Sequence, residues 1–315
     1  MKTTRSPMTT GSRLAALSTH RWFALLWIIP IALVIVAGVV LAARGIRSLP
    51  EVQSFLSQYP GTTTLPESAP VGFPAWLNWQ HGLNAFFILF VIRSGWQIHS
   101  TRRPTAFWKR NNSGLIRTRR PPTRMSLAVW LHITFDTLWV ANGVLFYVLL
   151  FATGQWLRLV PVTWDIFPNA LSALLQYASL DWPVESGWVN YNAIQTISYF
   201  LVVFVAAPLA LGTGLRMSPA WTFRRLSKLY PIGVARAVHY PVMIFFIAFI
   251  AVHVFLVFAT GALRNLNHMY AGRNDESWVG FWIFAGVLVL LIVAWVAARP
   301  VVLRAIASLT GTISR

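Results

Sequence analysis

The sequence has no cysteine. That excludes disulfides, thiolate metal sites, iron–sulfur clusters and covalent c-type haem attachment, so any redox centre must be held by histidine or methionine. Acids are scarce as well, with 8 Asp and Glu against 26 Lys and Arg, and charged residues make up only 11% of the chain. No phosphate loop, catalytic triad, metal-hydrolase motif or dinucleotide fingerprint occurs. There is also no internal repeat and no low-complexity tract. What is abundant is apolar: 56% of the 315 residues are hydrophobic and the mean hydropathy is +0.59. Sixteen Trp gather largely near the ends of apolar runs of about twenty residues, as an interfacial belt predicts. The composition is that of an all-α, polytopic membrane protein.

Six spans are expected, at about 22–43, 74–98, 125–153, 191–215, 231–260 and 278–298. The formal net charge of +18 does not point to nucleic acid, because the basic residues lie in short segments between apolar runs. Residues 1–21, 99–124, 216–236 and 299–315 carry most of them, whereas every acid except Asp136 falls in the alternate connections. By the positive-inside rule the basic segments face the cytoplasm, which predicts a multi-pass protein of a bacterial inner membrane with both termini inside. The connections 44–73 and 154–190 are then long and extracytoplasmic, suited to a functional surface. Within the second, NALSALLQYASLDW fits either a short amphipathic helix on the membrane or a structural loop cap.

The stretch HYPVMIFFIAFIAVH places a histidine at each end of an uncharged segment, His239 and His253. Fourteen residues turn a helix by about 1400°, close to four full turns, and advance it by about 21 Å. The two imidazoles therefore share one face of the fifth span at two depths. The alternating direction of the spans puts His81 at the depth of His253 and His132 at the depth of His239. Two level-matched pairs suit two bis-imidazole haem irons stacked across the bilayer. The plainer reading is four histidines hydrogen-bonding between helices.

Together with WQHGLNAFFILFVIRSGW and WLHITFDTLWVANGVLFYVLLFATG, this spacing resembles the bacterial dihaem b-type cytochrome family. That family supplies the membrane subunits of formate dehydrogenase, Ni,Fe-hydrogenase and thiosulfate reductase and is related to cytochrome b561. The resemblance covers about 74–260, a four-helix core, with 22–43 and 278–298 as additional helices between a 1–21 cytoplasmic segment and a 299–315 tail. It implies two haem b bound by His81, His253, His132 and His239. It also implies a quinone and a partner oxidoreductase, with the chain an electron-transfer subunit rather than a catalytic one. The long extracytoplasmic connections suggest a molybdopterin or similar catalytic subunit docking there. A proton-coupled transporter using buried histidines and a stand-alone transmembrane reductase are the alternatives; the first lacks the expected inverted repeat.

His99, eighteen residues after His81 and on the same face, is the alternative to His132, which is preferred because STRRP follows His99 directly. His20 and His268 read as ordinary surface histidines. Asp136, the sole acid within a span, follows His132 by one turn and suits either proton exchange with a quinone or an ion pair with Arg93. Arg93 also suits snorkelling or a haem propionate contact. Asn84, Asn142 and Gln195 fit ligand or quinone contacts and, equally, helix–helix hydrogen bonds. Gly82, Gly95, Gly143, Gly212 and Gly214 fit either porphyrin approach or close helix packing.

Overall fold

The computed structural model describes residues 25–113, 117–118, 121–182 and 187–315. In chain order the helices are α1 (Leu25–Arg47), α2 (Pro50–Gln58), α3 (Ala75–Ser100), α4 (Leu127–Ala152), α5 (Ile166–Ala178), α6 (Ala193–Met217), α7 (Arg224–Leu229), α8 (Ile232–Ala259), α9 (Ala262–Leu266), α10 (Val279–Ala297) and α11 (Pro300–Ser308). Five of them, α1, α4, α6, α8 and α10, are long and apolar enough to cross a membrane. Most of their large apolar side chains point outward, as lipid-facing surfaces require; Val34, for example, is 72% exposed. The segment expected as the second span forms α3, a helix of 26 residues. It is less apolar than the other five because Asn78, Gln80, His81, Asn84, Arg93, Gln97 and His99 all lie on it.

The described residues divide into two compact units, one of residues 25–61 and 167–182 and one of the described parts of 62–166 and 187–315. In the first, Arg44 donates to the Ser179 carbonyl at 3.0 Å, Arg47 donates to Ser179 Oγ at 2.7 Å and pairs with Asp181, and Asn169 Oδ1 accepts from Gly61 N at 2.9 Å. The amphipathic segment around 169–182 is thus largely helical, as α5.

In the second unit α3 packs along α4, and α8 along the C-terminal half of α6. Ser126 caps α4 by accepting from Val129 N, and Asn192 with Gln195 forms a reciprocal capping box at the start of α6. Gln195 is therefore a helix cap. Midway along α6, Leu201–Ala206 forms a π turn, and Tyr147 of α4 donates its hydroxyl to the Val203 carbonyl there. A π turn adds one residue, so the second half of α6 is rotated by about 100° relative to an unbroken α-helix.

A departure from the all-α expectation is a three-stranded antiparallel sheet in the order β2–β1–β3, built from Phe107–Arg110 (β1), Met125–Ser126 (β2) and Gly311–Ser314 (β3). The C-terminal residues thus fold back on the connection between α3 and α4. Trp108 anchors this corner against Leu127 and Ala307, donating its indole N–H to the Ala307 carbonyl at 2.9 Å. Hydropathy reading misses such short strands because they carry no spanning run.

At the other end of α8, α9 and a following π turn (Asn267–Ala271) pack under the first turn of α10. Asn267, fully buried, donates to the Asp275 and Ser277 carbonyls and accepts from Gly280 N at 2.6 Å. A Cβ at Gly280 would lie 2.5 Å from the backbone of Leu266 and Asn267. Gly280→Ala should therefore cost at least about 1–3 kcal/mol through overpacking, read as a lowered thermal unfolding midpoint. An unchanged midpoint would contradict this packing.

Candidate functional site

The four expected histidines lie on three helices of the second unit: His81 on α3, His132 on α4, and His239 and His253 on α8. The structure brings them together two by two. The ring centres of His81 and His253 are 6.2 Å apart, and those of His132 and His239 are also 6.2 Å apart. A metal–imidazole bond of about 2 Å, with about 1.1 Å from nitrogen to ring centre on each side, places two axial imidazoles about 6 Å apart. Both pairs fit a bis-imidazole haem iron by this measure. A Cβ on Gly82, next to His81, or on Gly143 of α4 would meet nothing within 4 Å.

The two pairs differ in their surroundings. His132 Nδ1 lies 2.9 Å from Ser94 Oγ and 3.1 Å from the Val91 carbonyl oxygen, both on α3. A carbonyl only accepts, so Nδ1 carries the proton and Nε2 is left with its lone pair. His239 is held in the same way from α6. Its Nδ1 lies 2.8 Å from Thr213 Oγ1. Each hydroxyl in turn donates to its own helix, Ser94 to the Phe90 carbonyl and Thr213 to the Leu209 carbonyl. Gly95 and Gly214 follow these two hydroxyls, and a Cβ on either would come 3.4 Å from the Cε1 of the imidazole its neighbour holds. At the other pair, His81 Nδ1 is buried with no hydrogen-bond partner, and so are Trp76 Nε1 and Gln80 Oε1 on the same helix. His253 stacks on Phe249, ring centres 5.6 Å apart and nearly parallel, with the Tyr199 ring edge-on. Buried polar atoms without partners are uncommon in a complete site and suit one that receives a ligand.

The remaining polar candidates have these places. Asp136 Oδ2 approaches His132 Nε2 at 3.5 Å, beyond hydrogen-bond distance. Arg93 does not join it. The Arg93 guanidinium donates to the carbonyls of Trp295 and Ala298 and stacks over the Trp295 ring, closing the C-terminal end of α10. The expected Asp136–Arg93 ion pair is therefore absent, because the freed carbonyls of α10 take the cation. His99 stacks on Tyr240, ring centres 4.4 Å apart. Asn84 accepts from the Trp139 indole N–H at 2.7 Å, a helix–helix hydrogen bond. Ser94 and Thr213 were not among the expected residues. The signal for them is a hydroxyl followed by glycine, on two of the long helices.

His20 lies outside the described residues. His268 is no surface histidine: it is 4% exposed, stacked on Phe73, and 2.8 Å from Asn274 Oδ1 through Nε2. The π turn after α9 rolls it inward. Burial pushes its imidazole below the ordinary histidine range; the Asn274 hydrogen bond opposes this, and Arg264 and Arg158 push it further down. A group depressed in the folded state is destabilising once protonated, so its contribution is intact above the unfolded pKa of about 6.5 and lost as pH falls below it. The unfolding midpoint should therefore drop on acidification through that range, and less so in His268→Gln. Equal acid sensitivity in both proteins would assign the effect elsewhere.

Residues 72–272 match the sequence profile of the family described as Prokaryotic cytochrome b561. Among curated proteins, the chain is 25% identical over 197 residues to the Azospira oryzae protein named as protein-methionine-sulfoxide reductase subunit YedZ1, covering 58% of this chain and 88% of that relative. No solved structure matches.

Proposed function

We propose that this chain, which belongs to the prokaryotic cytochrome b561 family, moves electrons across the membrane through two b haems, one held by His81 and His253 and the other by His132 and His239. Membership itself establishes a b561-type membrane cytochrome and, with it, haem-mediated transmembrane electron transfer. The observation that carries the two-haem reading is the equal 6.2 Å separation of two imidazole pairs, with one member of each pair on α8. Fourteen residues of α8 separate the pairs by about 21 Å along the helix, enough to relay an electron over much of a hydrocarbon core of about 30 Å. α3, with α4, α6 and α8, forms the four-helix haem core, and α3 crosses the membrane despite its polar residues, several of which are engaged by neighbouring elements, as Arg93 is by the end of α10 and Asn84 by Trp139.

When bound, haem iron supplies one-electron redox chemistry. The chain's own residues grip, orient and screen it. His132 rather than His99 opposes His239, since His99 is engaged with Tyr240. Ser94 and Thr213 orient two of the rings, and the aromatic walls Phe249, Tyr199 and Tyr270 exclude water from the other pair. Asp136, beside His132, is the residue placed to hold a proton for a quinone at that level. The basic segments assign the His132–His239 pair to the cytoplasmic half, with both termini inside. Electrons pass between a quinone pool and an oxidoreductase subunit docked on the extracytoplasmic loops. The relative's name, which identifies it as a reductase subunit, agrees with a partnered role.

His253→Ala should leave one haem per chain, and His239→Ala the other one, read from the haem-to-protein ratio of the purified proteins and their separate reduced-minus-oxidised spectra. Full haem content in both variants would overturn the ligand assignment.

A further inference from the structure

The hydroxyl–glycine pairs Ser94–Gly95 and Thr213–Gly214 form one device used twice, on opposite sides of a single imidazole pair. In each, a hydroxyl one helix away meets Nδ1, at 2.9 Å for His132 and 2.8 Å for His239. In each, that hydroxyl has already given its own proton to a carbonyl one turn back, so toward the imidazole it can only accept. For His132 a backbone carbonyl three residues before the hydroxyl, that of Val91, joins in. The following glycine faces the same ring, where a Cβ would come 3.4 Å from Cε1. The π turn in α6 completes the symmetry by rotating Thr213 and Gly214 toward α8. Nothing comparable serves the other pair, where His81 Nδ1 is buried and unpartnered and His253 meets aromatic faces.

We infer that Ser94 and Thr213 are positioning residues that set the two haem sites at different redox potentials, holding the His132–His239 site lower. This rests on the haem assignment above. Accepting the Nδ1 proton fixes the tautomer with Nε2 free and makes the imidazole a stronger electron donor. Stronger axial donation favours the oxidised metal and so lowers the potential; axial ligation and hydrogen bonding around it are among the levers a protein has over a haem. Two such bonds act on one site, and His81 on the other has none. An electron arriving at the His132–His239 site therefore runs downhill toward the His81–His253 site.

The test is a potentiometric titration of the full chain in detergent, following the reduced-minus-oxidised spectrum, with haem content measured on the same samples. His239→Ala identifies the His132–His239 component as the one that disappears. In the wild type that component should be the lower of two. Ser94→Ala and Thr213→Val should each shift it upward with the other component unmoved, and Thr213→Ser should restore it. Loss of that one haem in Thr213→Val, with retention in Thr213→Ser, would support the same role through affinity. The inference is overturned if both variants keep two haems at unchanged potentials, if the other component moves instead, or if Thr213→Ser behaves as Thr213→Val. A wild type without two haems would instead overturn the ligand assignment.

Discussion

An imidazole inside a membrane-spanning helix has two nitrogens to satisfy and no water to satisfy them with. α8 carries two such rings on one face, His239 and His253, and the placement of its neighbours answers to that constraint. At His239 and His132 one nitrogen of each ring is taken by a hydroxyl of an adjacent helix, joined at His132 by a carbonyl. At His81 a buried nitrogen has no protein partner at all. The pairing of imidazoles between helices is the reason to propose a metal in this bundle, and the equal 6.2 Å separations are the reason to propose the same kind of metal site twice.

Features outside the pairs serve their alignment. The capping box at Asn192 and Gln195 fixes where α6 begins, and the π turn at Leu201–Ala206, pinned by Tyr147, fixes how its second half is rotated. Without that extra residue Thr213 would lie about 100° away on the helix surface, and His239 would lose its acceptor. On the opposite flank Ser94 and Gly95 take their position from the packing of α3 on α4. Arg93, one residue earlier, ties the same turn of α3 to the end of α10. Beyond α8, the Asn267 hydrogen bonds and the Gly280 contact lock the turn that buries His268 and carries Tyr270 to the edge of His81.

Much of this was legible in the sequence, and for definite reasons. Helix periodicity alone puts His239 and His253 on one face, and the alternation of spans pairs them with His132 and His81 by depth. What periodicity cannot register is a break in it. The π turns at 201–206 and 267–271 are invisible to a constant 3.6-residue repeat, so the role of Thr213 and the burial of His268 were missed. Arg93 and Asp136 share a depth, which suggested an ion pair. The carbonyls that claim Arg93 belong to a helix two hundred residues away, and no local pattern points to them. The strands 107–110 and 311–314 escaped for the same reason, being defined by each other rather than by any run of their own. α3 is the converse case: polar residues such as His81, Asn84 and Arg93, each engaged by another helix, dilute its hydropathy.

The measurement that bears most directly on the central claim, that two imidazole pairs each hold one b haem, is the haem-to-chain ratio of the purified wild-type protein from haem-replete cells, taken by pyridine haemochrome assay against quantified protein. Two b haems per chain are expected, both low-spin by electron paramagnetic resonance as bis-imidazole ligation requires. A single haem, or a colourless protein, would contradict the claim.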